Sequence, residues 1–340
     1  MITPPKAAGS NARRATLGVH LMPTAPVGEM VDLARFAEQV GATRCWVNDE
    51  GLNTRDPYVT LAAIASQTTT IGLGPGIANP YSRHPGVTAA AIATLDELSG
   101  GRAFLGLGAG GSMALGPLGI ERRSPARTLE AMIVTTRALF AGETVDQDGP
   151  GFAYRRATLD YGRPDLAIVV AGRGRRITEL AGRVADGFNL GYVHKELLGQ
   201  QVETLRLLAG DRPFLVTYTT MLVLTDADLE AARAALTFRL IDSPTEVRER
   251  VGVTDGHLDR IKAGLIEGGP SAAARHVDPD WVSQFMLVGS ATEVATELRG
   301  LLAMHQIDEF QLPISDPAAG APLIERVARW LAPDRGDPDV

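Results

Sequence analysis

The sequence predicts an α/β chain closed into a (β/α)8 TIM barrel with rim insertions, and three observations carry that prediction. Residues 71–111 hold two short apolar runs, Ile71–Gly74 and Ala103–Gly108, separated by Pro85–Leu98, whose apolar positions recur at helical spacing. Strand, helix, strand is one parallel crossover unit, since parallel neighbours cannot be joined by a tight turn. The same alternation continues along the chain until eight strands are reached, the number that closes a parallel barrel. Finally, both runs end in glycine-rich stretches, Pro75–Pro80 and Gly108–Gly111. Glycine has no Cβ, so backbone amides there can approach a planar or anionic ligand closely.

Taken in order, Thr16–Met22 reads as the first strand. A helix starts at Pro26-Val27-Gly28, carries Met30, Val31, Leu33, Ala34, Phe36, Ala37 and Val40 on one face, and stops at Gly41. Arg44–Asn48 is the second strand, Pro57–Gln67 the second helix, and the third strand begins near Thr70. After the fourth strand, Pro125–Phe140 is helical. Residues 143–165 break the alternation: Gly149-Pro150-Gly151 between two β-prone pieces predicts a small β excursion on the rim. Leu166–Ala171 is wholly apolar, as in buried parallel sheets, and forms strand five. Ile177–Val184 (helix), Gly187–Tyr192 (strand six), Lys195–Ala209 (helix) and Phe214–Leu224 (strand seven) follow. Residues 225–281 are polar and helical and read as a second insertion. After a short apolar stretch at Phe285–Val288, Ser290 and Glu293 form a capping box that opens a helix to His305. Ile307–Pro313 is strand eight and Ala321–Leu331 the closing helix. The expected organisation is a flexible tail at 1–14, one barrel over 15–333 with insertions at about 143–165 and 225–281, and a C-terminal tail at 334–340.

Bulk properties narrow the function. With 33 Lys+Arg against 40 Asp+Glu the net charge is −7, which argues against nucleic acid or an anionic membrane as partner. The single cysteine, Cys45, rules out an internal disulfide or thiolate cluster and reads as a buried structural thiol. No 18-residue apolar stretch and no basic-then-apolar leader is visible, so a cytoplasmic protein is expected.

In such barrels the reactive face lies at the C-terminal ends of the strands. Those ends read His20, Asn48-Asp49-Glu50, Gly76-Ile77-Ala78-Asn79, Gly108-Ala109-Gly110-Gly111, Gly172-Arg173-Gly174-Arg175, Asn189 and Gln311. The set is rich in glycine and amides and short of histidine. It suits gripping a large planar cofactor and offers neither a Ser/His/Asp set nor metal-spaced ligands. Gly172–Arg175 lies between a strand and a helix. Its amides and helix end can hold an anion, with Arg173 or Arg175 adding charge-assisted bonds, or it is a plain turn with solvated arginines. His20 either faces the pocket or sits satisfied in the core. Trp46 and Trp281 are core or pocket wall. His84, Asp96, Glu97 and Arg102 read as structural.

Residues 74–111 resemble the bacterial luciferase-like superfamily. The run Gly76–Pro85 (GIANPYSRHP) and the run Ile92–Arg102 (IATLDELSGGR) are most similar to its deazaflavin branch, the methylenetetrahydromethanopterin reductases. The resemblance spans Leu17 to Tyr192 and thins beyond. It implies coenzyme F420, or FMN as the alternative, with Gly172–Arg175 on the cofactor phosphate. It also implies a non-prolyl cis peptide at Gly76–Ile77 backing the ring. Asn48, Asn79, Gly108, Ala109, Gly110 and Asn189 are expected around the cofactor, and His20 at the substrate. Where relatives carry a histidine after strand two, this chain has Glu50. With Asp49 it is the candidate catalytic group: Glu50 exchanges a proton if burial raises its pKa, or it binds substrate, or it pairs with Arg55.

The implied activity is hydride transfer between the deazaflavin C5 and a small organic molecule with a C=N or activated C=C bond. The alternatives are an FMN-dependent monooxygenase and a non-catalytic flavin-binding or structural homologue. The resemblance also implies a homodimer, through the Ala-rich face of Thr88–Leu98 or the helix at Leu61–Ala65.

Overall fold

The structure, a computed structural model, describes residues 14–332. The expected tails therefore lie, apart from Arg14, outside the described residues. In chain order the elements are β1 Thr16–Leu21, α1 Val27–Gln39, β2 Arg44–Val47, α2 Pro57–Ala65, β3 Gly72–Pro75, α3 Pro85–Ser99, β4 Leu105–Gly108, α4 Ser112–Leu115 and α5 Pro125–Phe140. They continue with β5 Val145–Gly149, β6 Phe152–Ala157, β7 Ile168–Ala171, α6 Arg175–Val184, β8 Gly187–Gly191, α7 Lys195–Ala209, β9 Leu215–Thr219 and β10 Leu222–Val223. The last are α8 Asp226–Ile241, α9 Thr245–Val251, α10 Asp255–Ala274, α11 Pro279–Phe285, β11 Leu287–Val288, α12 Ala291–Met304, β12 Glu309–Ile314 and α13 Gly320–Leu331. Among the described residues no helix is long and apolar enough to cross a membrane.

Eight strands pair in parallel in the order β3-β2-β1-β12-β9-β8-β7-β4. The two ends of that order meet. Phe104 N–H donates to Leu73 O (2.9 Å), and beyond it Ala78 N–H donates to Gly106 O (2.9 Å). Residues 74–77 bulge between these two pairings, and the Gly76–Ile77 peptide within the bulge is cis.

Side-chain alternation along each strand splits the apolar residues into an outer and an inner set. Cys45 and Val47 join the large core between sheet and helices, whereas Trp46 between them packs with Phe104 and Val169 in the lumen. The Trp46 and Phe104 ring centroids are 4.4 Å apart. Burial pushes the Cys45 thiol up to about 12, as befits a structural residue. At the N-terminal end of the strands, Arg44 Nη1 lies 2.7 Å from Glu309 Oε2, a carboxylate with no exposed side-chain surface. Gly18 leaves room for it: a Cβ there would sit 2.7 Å from Glu309 Oε1.

Both rim insertions form. The first is an antiparallel hairpin, β5 with β6, tied to α3 by His84, whose Nε2–H donates to Ala153 O (3.1 Å) while Nδ1 accepts Gly86 N–H (3.1 Å). The second, α8–α11, has its own core around Leu236, Leu240, Ile261, Trp281 and Phe285. The expected seventh strand does not run on to Leu224. It stops at Thr219, and Leu222–Val223 leaves the barrel to pair in parallel with Leu287–Val288. Thr220 marks the break, with its hydroxyl donating to Phe285 O (2.7 Å). The short apolar stretch 285–288 is thus the other edge of the insertion's two-stranded base.

Inner-face glycines are packing positions. A Cβ on Gly106 would stand 2.0 Å from Pro75 O and 2.8 Å from the Trp46 ring, so Gly106→Ala is expected to cost at least about 2 kcal/mol in chemical denaturation. A Cβ on Gly28, in the first turn of α1, meets nothing within 4 Å, and Gly28→Ala is expected to be neutral or to stabilise by up to about 1 kcal/mol.

Candidate active site

A cavity of about 450 Å³ opens at the C-terminal ends of the strands, within the size range of small-molecule sites. It gathers His20 after β1, Asn48, Asp49 and Glu50 after β2, and Gly76, Ile77 and Asn79 from the β3 bulge. Ala109 and Gly110 follow β4, Gly172, Arg173 and Gly174 follow β7, and Asn189 comes from β8. Of the residues expected at the cofactor, two are not on its wall. Gly108 lies behind Ile77, whose Cδ1 is 2.0 Å from where a Cβ would be. Arg175 is exposed, with Nε 2.9 Å from Glu179 Oε1, and borders a second groove of about 510 Å³. That groove shares Pro125, Gly174 and Ile177 with the cavity, and Arg127 and Arg176 also line it.

His20 faces the cavity in a fixed state. A carbonyl can only accept, so His20 Nε2 carries the proton and donates to Gly76 O at 2.7 Å. Burial drops its pKa to about 4, so the ring is neutral at physiological pH, and Nδ1 is buried without a partner. Glu50 does not pair with Arg55, whose guanidinium instead reaches Thr24 O at 2.5 Å. Burial raises Glu50 to about 7, against the opposing pull of Arg239 and of a 3.4 Å contact from Asn48 Nδ2. Asp49 is raised too, chiefly by burial. Glu50 is therefore the cavity group poised to take up and release a proton near neutrality.

Several amides prove to be framework. Asn189 Nδ2 donates to Gln311 Oε1, Gln311 Nε2 donates to Thr217 Oγ1 (2.9 Å), and Thr219 Oγ1 lies 3.1 Å from Asn189 Oδ1. This network locks β8, β9 and β12 together beneath the cavity floor. Asn79 Oδ1 accepts the Tyr81 and Ser82 amides (2.9 and 3.0 Å), and its Nδ2 donates to Ser82 Oγ (2.9 Å), so its side chain builds the turn. Arg173 Nη1 donates to Arg239 O (3.1 Å), docking the loop onto the last turn of α8.

Sequence reasoning missed the residues that reach in from elsewhere. Arg122, and Arg239, Asp242, Ser243 and Pro244 at the end of α8, all line the cavity, as does Tyr192, with the Arg239 guanidinium 3.4 Å above its ring centroid. The only signal for Arg239 was its place near the end of a predicted helix of an insertion, which does not say where that helix docks. Among the described residues no three His, Cys, Asp or Glu side chains cluster as a metal site would require.

The arrangement can hold a flat ring and an anionic tail. Bare backbone at Gly76, Ala109, Gly110 and Gly172 walls the cavity. The open amides at the start of α6, with no side chain capping Gly174, face a groove edged by Arg127, Arg175 and Arg176. Against known proteins, residues 10–305 match the family model described as luciferase-like monooxygenase. The chain is 30% identical over 317 residues to 5,10-methylenetetrahydromethanopterin reductase of Methanolobus tindarius, covering 91% of this chain and 94% of that one. It is 29% identical over 296 residues to the enzyme of the same name from Archaeoglobus fulgidus, covering 84% of this chain and 89% of that one. Among solved structures, the coenzyme F420 dependent tetrahydromethanopterin reductase from Methanopyrus kandleri superposes with TM-score 0.79 at 24% identity, over 93% of this chain and 98% of that one.

The Glu50 environment gives a stability signature. Its carboxyl binds a proton more tightly folded (about 7) than unfolded (4.5). Stability relative to Glu50→Gln is thus full below pH 4.5 and is lost as pH rises through 7. Urea melts of the two proteins are expected to diverge by on the order of 1–3 kcal/mol across that window, and parallel curves would remove the assignment.

Proposed function

Because the chain belongs to the luciferase-like monooxygenase family, we propose that it is a coenzyme F420-dependent oxidoreductase acting on a small organic substrate with a C=N or activated C=C bond. The observation that carries this reading is the continuity of a backbone-walled cavity with a basic groove at a helix N-terminus. Together they match a tricyclic ring and a phosphorylated side chain. When bound, the deazaflavin supplies hydride chemistry at C5. The protein supplies the rest. Gly76-Ile77 and Ala109-Gly110 back the ring. The first amides of α6, with Arg175 beside them, hold the phosphate by the helix-end charge and by direct hydrogen bonds. Glu50 moves the proton that accompanies hydride transfer, and His20, neutral and anchored to Gly76 O, presents Nδ1 to the substrate. Asn189, itself buried, keeps the floor rigid through Gln311 and Thr219 and borders the cofactor at the cavity wall. Orientation and exclusion of water are the main rate-enhancing contributions such a scaffold makes.

A cytoplasmic homodimer completes the reading. The expected faces at Leu61–Ala65 and Thr88–Leu98 turn Leu61, Ile64, Ala89, Ile92 and Ala93 into the barrel core, and it is the exposed Val59 on α2 and Val87 and Leu98 on α3 that support self-association.

Titration with F420 and with FMN, with oxygen uptake followed during turnover, tests the proposal. F420 is expected to bind and oxygen to stay unconsumed. Preference for FMN with oxygen uptake would make the protein a monooxygenase, and binding of neither would make it non-catalytic. Arg175→Ala is expected to weaken F420 binding about three- to tenfold with unchanged melting, since one exposed charge-assisted contact contributes about 1 kcal/mol. In turnover assays the rate is expected to follow one ionisation near pH 7, and Glu50→Gln is expected to flatten that profile.

A further inference from the structure

Three arginines line the cavity, and they differ in what holds them. Arg122 Nη1 donates to Gly110 O (2.7 Å), and Arg173 Nη1 donates to Arg239 O (3.1 Å). Apart from its contact with Tyr192, the Arg239 guanidinium makes no hydrogen bond or ion pair with any described residue, and its Nε is buried without a partner. Arg83 and Arg248 also bury an Nε without a partner, but Arg83 Nη1 lies 3.9 Å from Asp56 Oδ2 and Arg248 Nη2 donates to Thr245 Oγ1 (3.1 Å). Arg102 reaches acceptors on Ala65, Thr68, Ile71 and Ser99. A buried donor left open is costly, and its retention on a half-buried arginine of a binding cavity points to an absent acceptor.

The mount is built for presentation. The guanidinium lies flat on the Tyr192 ring, 3.4 Å from its centroid, which fixes the plane and leaves the in-plane donors free for an oxyanion. Tyr192 takes a left-handed backbone (φ 53°), rare for a bulky side chain, and its N–H is held by Thr219 O at 2.8 Å. The nearby carboxylates do not fill the fork: Asp242 accepts from Ser112 Oγ (3.2 Å), and Glu50 faces Asn48 Nδ2. Arg239 also lies outside the groove at the start of α6 that suits the cofactor tail.

We propose that Arg239, seated on Tyr192, recognises a carboxylate or phosphate group carried by the substrate. This rests on the cavity being the reaction site described above and adds the substrate's charge, which that reading leaves open. In a chain of net charge −7, a local cation is what brings an anion in. The site also couples to chemistry: Arg239 is the strongest influence keeping Glu50 ionised, so an anion on the fork favours the protonated acid beside the substrate.

The test titrates inorganic phosphate and, separately, acetate into F420-saturated protein by calorimetry, for wild type, Arg239→Gln, Arg239→Lys and Tyr192→Leu. At least one anion is expected to bind the wild type. Its affinity is expected to fall tenfold or more in Arg239→Gln, and less in Arg239→Lys, which keeps the charge but not the fork. Tyr192→Leu is expected to weaken it as well. The F420 dissociation constant should stay within twofold in Arg239→Gln. Equal anion binding in Arg239→Gln, no anion binding by the wild type, or a tenfold loss of F420 affinity in that variant overturns the proposal, the last by assigning Arg239 to the cofactor. Failure of the wild type to bind F420 overturns the cofactor reading instead. The anion titration repeated on the cofactor-free protein then still reads Arg239. If Arg239→Gln does not fold, Arg239→Lys and Tyr192→Leu carry the comparison.

Discussion

Everything at the active end depends on how the lumen is filled beneath it. Trp46 and Phe104 fill much of the lumen with Val169, and neighbouring positions on β3 and β4 yield to them by being glycine. A Cβ on Gly74 would be 2.4 Å from the Phe104 ring, one on Gly76 2.4 Å from His20 Nε2, and one on Gly106 2.8 Å from Trp46. The aromatic plug therefore fixes how closely β3 and β4 approach, and the bulge at 74–77 is where the chain passes over it. That plug is the floor on which the cavity stands.

This changes the meaning of the glycines. From sequence they read as a single class, bare backbone kept clear for a ligand. In three dimensions they divide. Gly74, Gly106 and Gly108 are filled by side chains of the lumen, and Gly110 and Gly172 by Leu115 and Ile177, while a Cβ on Gly111 or Gly174, past the strand ends, meets nothing within 4 Å. Sequence spacing cannot separate filled from open positions, because the difference lies in which side chain the fold packs against each glycine.

The barrel itself was legible in detail: helices such as Pro125–Phe140 and Lys195–Ala209 begin and end where the pattern put them. Local signals sufficed there, with prolines at starts, small residues at ends and strong periodicity. Strand seven was overextended because Thr217–Leu224 is uniformly β-prone, and only the tertiary pairing of Leu222–Val223 with Leu287–Val288 shows that it leaves the barrel. At the site, residues on strand ends were found because fold class alone places them. Arg239 and Tyr192 were missed because their role depends on how α8 docks, a packing outcome without a local motif. Asn79 and Asn189 were found for their place, while their side chains serve the turn and the strand network.

Electrostatics and packing meet at the mouth of the barrel. The same enclosure that neutralises His20 lifts Glu50 toward neutral pH, so one desolvated pocket yields a fixed acceptor at His20 Nδ1 and a titrating acid. The most direct measurement of the central claim is a crystal structure of the protein with F420 bound. The account predicts the tricycle against the Gly76–Ile77 bulge and the Ala109-Gly110 loop, with its phosphate on the first amides of α6. A ring bound outside the cavity, or a phosphate turned away from α6, would contradict it.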